Sequence, residues 1–281
     1  MAISANDVKT LRDRTNAPMM ECKTALTEAG GDMEKAVDWL RKKAGSKIGN
    51  FAARETAEGR VAIYLDAANQ CGAIVEVRCE TAPVSKTDQF IQLTSEIAKQ
   101  VALKNPANVE ELLKQACADH AGKTIADRVM DVFALLRENI KPHRYTRLTG
   151  LLGEYVHHDG SVGVLLQVEG AKTDPQLLRD VCMHITARNP VSASKDDVPA
   201  EKLAKETEIA REQTTNDPKN KGKPANIIEK IIDGKMKTWL AENVLLEQPF
   251  VKDDTKTVGQ LLSAAGLKLV KFVRYKVGEI S

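Results

Sequence analysis

The sequence predicts an α+β fold: a small bundle of helices, then two related units of antiparallel sheet and helix. Three observations predict it. Residues 4–45 read as short helices separated by Pro18 and Gly30-Gly31. After Gly59 the apolar pattern changes to period two, the mark of half-buried strands. The order hairpin, helix, strand then occurs twice, with GAIVEV from Gly72 answered by GVLLQV from Gly163.

Ser4 and Asp7 form a reciprocal cap for the first helix, whose apolar side carries Val8 and Leu11. Pro18 suits the start of a second helix with Met19, Cys22, Ala25 and Leu26. Asp32 caps a third, with Val37, Trp39 and Leu40, expected to stop at Gly45. A polar connector is expected from Ser46 to Glu58. The adjacent Met19 and Met20 have two readings. Methionine adapts to irregular partner surfaces, or one side chain is core and the other partly exposed.

Val61 to Leu65 and Gly72 to Cys79 then form a hairpin, with Glu76 and Arg78 alternating with Val75 and Val77. Pro83 cannot donate to a sheet, so the strand is expected to end near Ala82. Thr81-Ala82-Pro83-Val84 becomes a short rigid turn before a helix over 90–103. A helical stretch from Val109 to Arg137 leads to a strand near His143 to Leu148.

In the second copy, Leu151 to Val156 and Gly163 to Val168 flank a turn with Asp159-Gly160, a strong hairpin signal. Lys104-Asn105-Pro106 and Arg188-Asn189-Pro190 end corresponding helices. Thr124 and Thr257 open corresponding helices, and Arg144-Tyr145 matches Arg274-Tyr275 on the last strands. An insertion over about 194–247 reads as two antiparallel helices projecting from the body. Its tip carries Lys219, Lys221 and Lys223, which read as RNA-touching or, by preference, as a solvated loop. The expected domains are 1–54, 55–148 and 149–281.

The chain has 281 residues and a formal net charge of +2, which argues against a protein that coats nucleic acid. Aromatic residues make up 4%, so the core must be aliphatic. Five scattered cysteines without a C-x-x-C pair read as reduced thiols, and no stretch reads as a signal peptide or membrane span. Ala121-Gly122-Lys123-Thr124 mimics the end of a phosphate-binding loop, but Cys117 stands where its first glycine belongs. His184 lies in a helix and reads as structural rather than catalytic. With no nucleophile elbow or dinucleotide fingerprint, a binding or regulatory protein is favoured over an enzyme, and no cofactor or metal is expected.

The chain resembles the elongation factor Ts family over essentially its whole length. The residues that carry the likeness begin with Leu11-Arg12, Arg14-Thr15, Met19-Met20, Gly31-Asp32 and Trp39-Leu40-Arg41. They continue with Glu58-Gly59 and, most specifically, KPANIIEKIIDGKM from Lys223, LLEQPFVKDDTKTVGQLL from Leu245 and FVRYKVGE from Phe272. The resemblance implies that the N-terminal domain is a ubiquitin-associated-like bundle. It implies a cytoplasmic guanine-nucleotide exchange factor that binds elongation factor Tu and releases GDP by disturbing the partner's magnesium and phosphate site. Direct RNA contact and membrane association are not expected.

By position, the resemblance makes Met19 and Met20 contacts with the partner's GTPase domain. Thr81, Ala82, Pro83 and Val84 stand where the family has a T-D-F-V probe; here the Asp and Phe are replaced. Met183, His184 and Ile185 match the family's M-H-I segment, which lies against the partner's GTPase domain, so the resemblance makes them partner contacts too. Two alternatives stay open: a chaperone of elongation factor Tu without fast exchange, and a ribosome- or RNA-associated binding protein.

Overall fold

The computed structural model describes residues 3–15, 17–52, 54–68, 70–171 and 174–279. It has the α+β fold expected, helices alternating with small antiparallel sheets. Two compact units are present. The first holds the residues up to Leu148 together with Val156–Gly163 and those from Tyr275 onward; the second holds Thr149–Tyr155 and Val164–Arg274.

The first unit opens with α1 (Ala5–Thr15), α2 (Met19–Glu28) and α3 (Met33–Ala52). The Ser4 hydroxyl accepts from the Asp7 amide while the Asp7 carboxylate accepts from the Ser4 amide, each at 3.1 Å. Asp32 caps α3, its carboxylate accepting from the amides of Glu34 and Lys35 at 3.0 Å. Leu11, Cys22, Ala25, Leu26 and Ala36 form a fully buried cluster between the three helices. α3 runs on to Ala52, past Gly45 and through the expected connector. One helix-interior glycine costs only about 1 kcal/mol, and no proline follows to enforce a stop. α3 also packs against α7, support that so small a bundle needs.

β1 (Glu58–Asp66) pairs with β2 (Cys71–Cys79) in antiparallel register, Val61 opposite Glu76 and Ile63 opposite Ile74. β2 is the central strand, since the sheet order is β1-β2-β3. α4 (Ala82–Ser85) and α5 (Asp88–Lys104) follow, then α6 (Val109–Lys114), α7 (Ile125–Leu136) and β3 (Lys141–Thr149). The helical stretch expected from Val109 to Arg137 is therefore two helices. The turn between them ends at Thr124, which closes a capping box with Asp127. The phosphate-loop mimic is thus a helix cap. α5 lays Phe90, Leu93, Ile97 and Val101 on Ala73, Val75, Val77 and Cys79 of β2, and all eight are essentially solvent-free. Burying each large apolar side chain contributes roughly 1.5–3 kcal/mol.

The opposite face of β2 is buried as well. Glu76 is fully buried and its carboxylate accepts from Arg78 Nε at 2.7 Å, Arg144 Nε at 2.6 Å and the Gly278 amide at 3.2 Å. The alternation of charged and apolar residues seen in the sequence is real, but the charged face meets partners instead of water. Arg144 also stacks over the Tyr275 ring, 4.4 Å from its centroid.

In the second unit, β4 (Leu151–Val156), β5 (Val162–Gly170) and a last strand form a sheet with β5 central. α8 (Pro175–Arg188) packs Leu178, Val181, Cys182 and Ile185 on Val164, Leu166 and Val168. The hairpin α9 (Ala200–Asn216) and α10 (Ala225–Asn243) is joined by a single 3-10 turn, Pro218–Asn220, capped by Asp217. Only Ile232 of the α10 apolar stripe is buried, because two helices alone cannot cover it. A ribbon absent from the sequence reading, β6 (Pro249–Phe250) with β7 (Asp253–Thr257), precedes α11 (Val258–Ala264) and β8 (Leu267–Lys276). Thr257 opens α11 with a capping box, as Thr124 opens α7.

The repeat is visible in the backbone. α5 ends at Asn105 and α8 at Asn189, with φ of 45° and 46°. Both occupy the left-handed region that asparagine tolerates, and a proline follows each. All five cysteines are free and buried. Among the described residues no helix is long and apolar enough to cross a membrane.

Asn105→Ala and Asn189→Ala are each expected to cost about 1 kcal/mol, which Asn→Gly at the same positions recovers. Glu76→Ala is expected to cost about 3 kcal/mol or more, because it removes the buried carboxylate that pairs with Arg78 and Arg144. Urea unfolding of the purified chain measures both; loss below 1 kcal/mol for Glu76→Ala would refute the buried-pair account.

Candidate functional site

Met19 and Met20 occupy the first turn of α2, after Pro18 fixes the entering backbone. They are 51% and 70% exposed, while Cys22, Ala25 and Leu26 of the same helix are buried. The helix therefore turns its other face inward and presents both methionines. Of the two readings, the one that places one methionine in the core is excluded.

β2 ends at Cys79, and residues 82–85 form the single helical turn α4 instead of an open turn. Proline is compatible with the first turn of a helix, which is why Pro83 starts a helix as readily as it ends a strand. Val84 packs against the first core and Pro83 is exposed, so one residue anchors the segment and the other is presented. Thr81 precedes α4 in extended conformation, yet its hydroxyl makes no cap bond to the helix. It donates instead to Glu138 Oε1 at 2.6 Å, and its amide donates to Glu138 Oε2 at 3.0 Å. The Cys79 thiol donates to the Thr81 carbonyl at 3.3 Å. Burial, reinforced by the Glu138 charge, pushes that thiol up to about 12, so it stays protonated at neutral pH.

Glu138 belongs to a run that the sequence reading passed over. Arg137 closes α7 at φ 60°, a left-handed conformation that costs a branched or long side chain about 1–2 kcal/mol. Its guanidinium reaches Glu21 of α2 at 3.3 Å, one residue from Met20. The Asn139 amide donates to Glu80 at 2.7 Å, and its side chain donates to the Arg54 carbonyl at 2.8 Å. Arg54 in turn pairs with Glu80 at 3.3 Å. No periodicity marks residues 137–139, because they lie between elements and act only through partners remote in sequence.

In the second unit, Met183, His184 and Ile185 lie in α8. His184 and Ile185 are fully buried; Met183 is half-buried. His184 Nδ1 accepts from the Val251 amide at 3.2 Å, so Nε2 carries the proton and donates to Gln248 Oε1 at 2.8 Å. Gln248 then donates to the Glu242 carbonyl at 2.7 Å, and Phe250 stacks on the imidazole with centroids 5.8 Å apart. The histidine thus fixes the segment from Glu242 to Val251. Burial pulls its pKa down, against the opposing pull of the Gln248 hydrogen bond.

The Elongation factor TS family pattern matches residues 80–279. Elongation factor Ts from Thioalkalivibrio sulfidiphilus is 43% identical over 283 residues, covering 99% of this chain and 93% of that one. Elongation factor Ts from Azoarcus sp. strain BH72 is 44% identical over 279 residues, covering 99% and 91%. That from Methylococcus capsulatus is 42% identical, covering 99% and 93%. By class, then, the chain is a translation elongation factor. More narrowly, it belongs to the elongation factor Ts family.

The lowered pKa of His184 has a sign that can be measured. The unfolded chain takes up the proton near the ordinary value of 6.5, while the folded chain resists it. The His184 contribution is therefore complete above 6.5 and is lost as pH falls below it, by at most about 1.4 kcal/mol per unit. Unfolding free energies at pH 7.5 and 5.5 are expected to differ more for the wild-type chain than for His184→Gln. Equal pH dependence would refute the neutral-histidine assignment.

Proposed function

We propose that the protein is a guanine-nucleotide exchange factor that binds elongation factor Tu carrying GDP and speeds release of the nucleotide. The observation that carries the reading is the combination, within one unit, of two exposed methionines with a stiff probe fixed to a buried strand. Neither feature performs covalent chemistry, and the reading needs none. Binding the empty or distorted partner more tightly than its GDP form weakens GDP by the same factor, typically 5–150-fold. The partner's magnesium ion is the natural point of attack, since it neutralises much of the diphosphate charge.

In this reading Met19 and Met20 contact the GTPase domain, and the segment of Thr81, Ala82, Pro83 and Val84 acts as the probe beside its nucleotide site. Pro83 takes the place of a larger wedge; its ring fixes φ and keeps the turn stiff. Met183 adds a contact from the second unit. His184 and Ile185, buried in the free chain, support that surface from beneath. The division into domains 1–54, 55–148 and 149–281 belongs to the same proposal. A second reading, a chaperone of elongation factor Tu without fast exchange, is favoured by one observation, the missing aromatic of the probe. A buried aromatic anchor is often worth about 2 kcal/mol at an interface.

Release of labelled GDP from elongation factor Tu separates the two. The exchange reading expects acceleration at saturating factor; binding without acceleration would establish the chaperone reading. Met20→Asp is expected to raise the half-saturating concentration about tenfold, as removal of a central apolar contact does. Pro83→Phe is expected to raise the limiting rate on an elongation factor Tu whose own factor carries T-D-F-V. An unchanged or lower rate would count against the wedge.

A further inference from the structure

Arg137, Glu138 and Asn139 are three consecutive residues that hold three segments remote in sequence. Arg137 binds Glu21, beside the methionine pair. Glu138 takes both the amide and the hydroxyl of Thr81, at the start of the probe. Asn139 binds Glu80 through its amide and the Arg54 carbonyl through its side chain. A carboxylate that accepts two donors from one residue fixes direction as well as position, because rotation of that residue breaks both bonds. The probe helix needs such an outside hold. Four residues cannot sustain a helix by themselves, and the hydroxyl that would cap it is turned toward Glu138. The backbone is bent to permit this: Arg137 takes a left-handed conformation, from which residues 138 and 139 reach Thr81 and Glu80.

We propose that Arg137, Glu138 and Asn139 form a positioning strap. Glu138 sets the direction in which α4 presents Pro83, and Arg137 ties the methionine helix to the same anchor, so the two contact surfaces meet a partner as one. The strap touches no nucleotide and acts only through the residues it holds. This inference rests on reading residues 81–84 as the probe.

Two readouts test it. In the free, full-length chain, Glu138→Ala removes both acceptors that hold Thr81. Hydrogen exchange of the Thr81 amide, followed by NMR, is expected to speed up about tenfold or more, with the amides of β5 unchanged. In GDP release from elongation factor Tu, Glu138→Ala is expected to lower the limiting rate about tenfold and Thr81→Val about threefold, with half-saturating concentrations within about twofold of wild type. The double variant should be no slower than Glu138→Ala alone, because the hydroxyl has already lost its partner. Arg137→Gln should do the opposite, raising the half-saturating concentration and leaving the limiting rate in place.

General damage to the fold would move both kinetic parameters together and make the two losses additive. That result, or an unchanged Thr81 amide in Glu138→Ala, overturns the strap. If the wild-type chain accelerates no GDP release, the exchange reading falls, and the Thr81 amide alone still decides the strap.

Discussion

Glu76 sits at the middle of β2 with no exposure to water, and its carboxylate is satisfied by Arg78, Arg144 and the Gly278 amide. A buried charge is tolerated only when it is this fully paired, and once paired it resists any shift of its strand. On the other face β2 is sealed by α5 through Val75, Val77, Phe90 and Ile97. A strand clamped on both faces cannot slip in register without exposing apolar side chains and breaking the ion pairs. Whatever projects from its end starts from a fixed point, and what projects is Thr81 and α4.

Rigidity is handed on from there by hydrogen bonds. The thiol of Cys79 and the carboxylate of Glu138 grip Thr81 on its carbonyl, amide and hydroxyl. Val84 closes the far end of the turn against the core, which leaves Pro83 as the part on offer. The second unit solves a similar problem with a neutral histidine, His184, which spans Gln248 and Val251 from within the core.

The two units use common devices. Each has a central strand of near-continuous apolar sequence, a covering helix that ends on a left-handed asparagine, and a late helix opened by a threonine capping box. Their elaborations differ. The first receives the three-helix bundle, held by α3 against α7 and by Glu21 against Arg137. The second receives the hairpin of α9 and α10, stapled by Arg211 and Glu229 at 2.7 Å.

The sequence by itself determined most of what rests on local pattern. Period-two runs placed β1, β2, β4 and β5, and the caps at Ser4, Asp32, Thr124 and Thr257 placed four helix starts. The matched Asn-Pro pairs exposed the repeat, and the motifs from Lys223 onward carried the family. These signals are local because caps and strand alternation depend on neighbours in the chain. Only the tertiary structure decided the rest. It ran α3 on past Gly45, turned Pro83 from a strand stop into part of α4, and buried Glu76 and His184. It also showed that Thr81 answers to Glu138, 57 residues away in the chain. No window along the sequence contains such a pairing, because the carboxylate and the hydroxyl become neighbours only when β2 and α7 pack into the same unit.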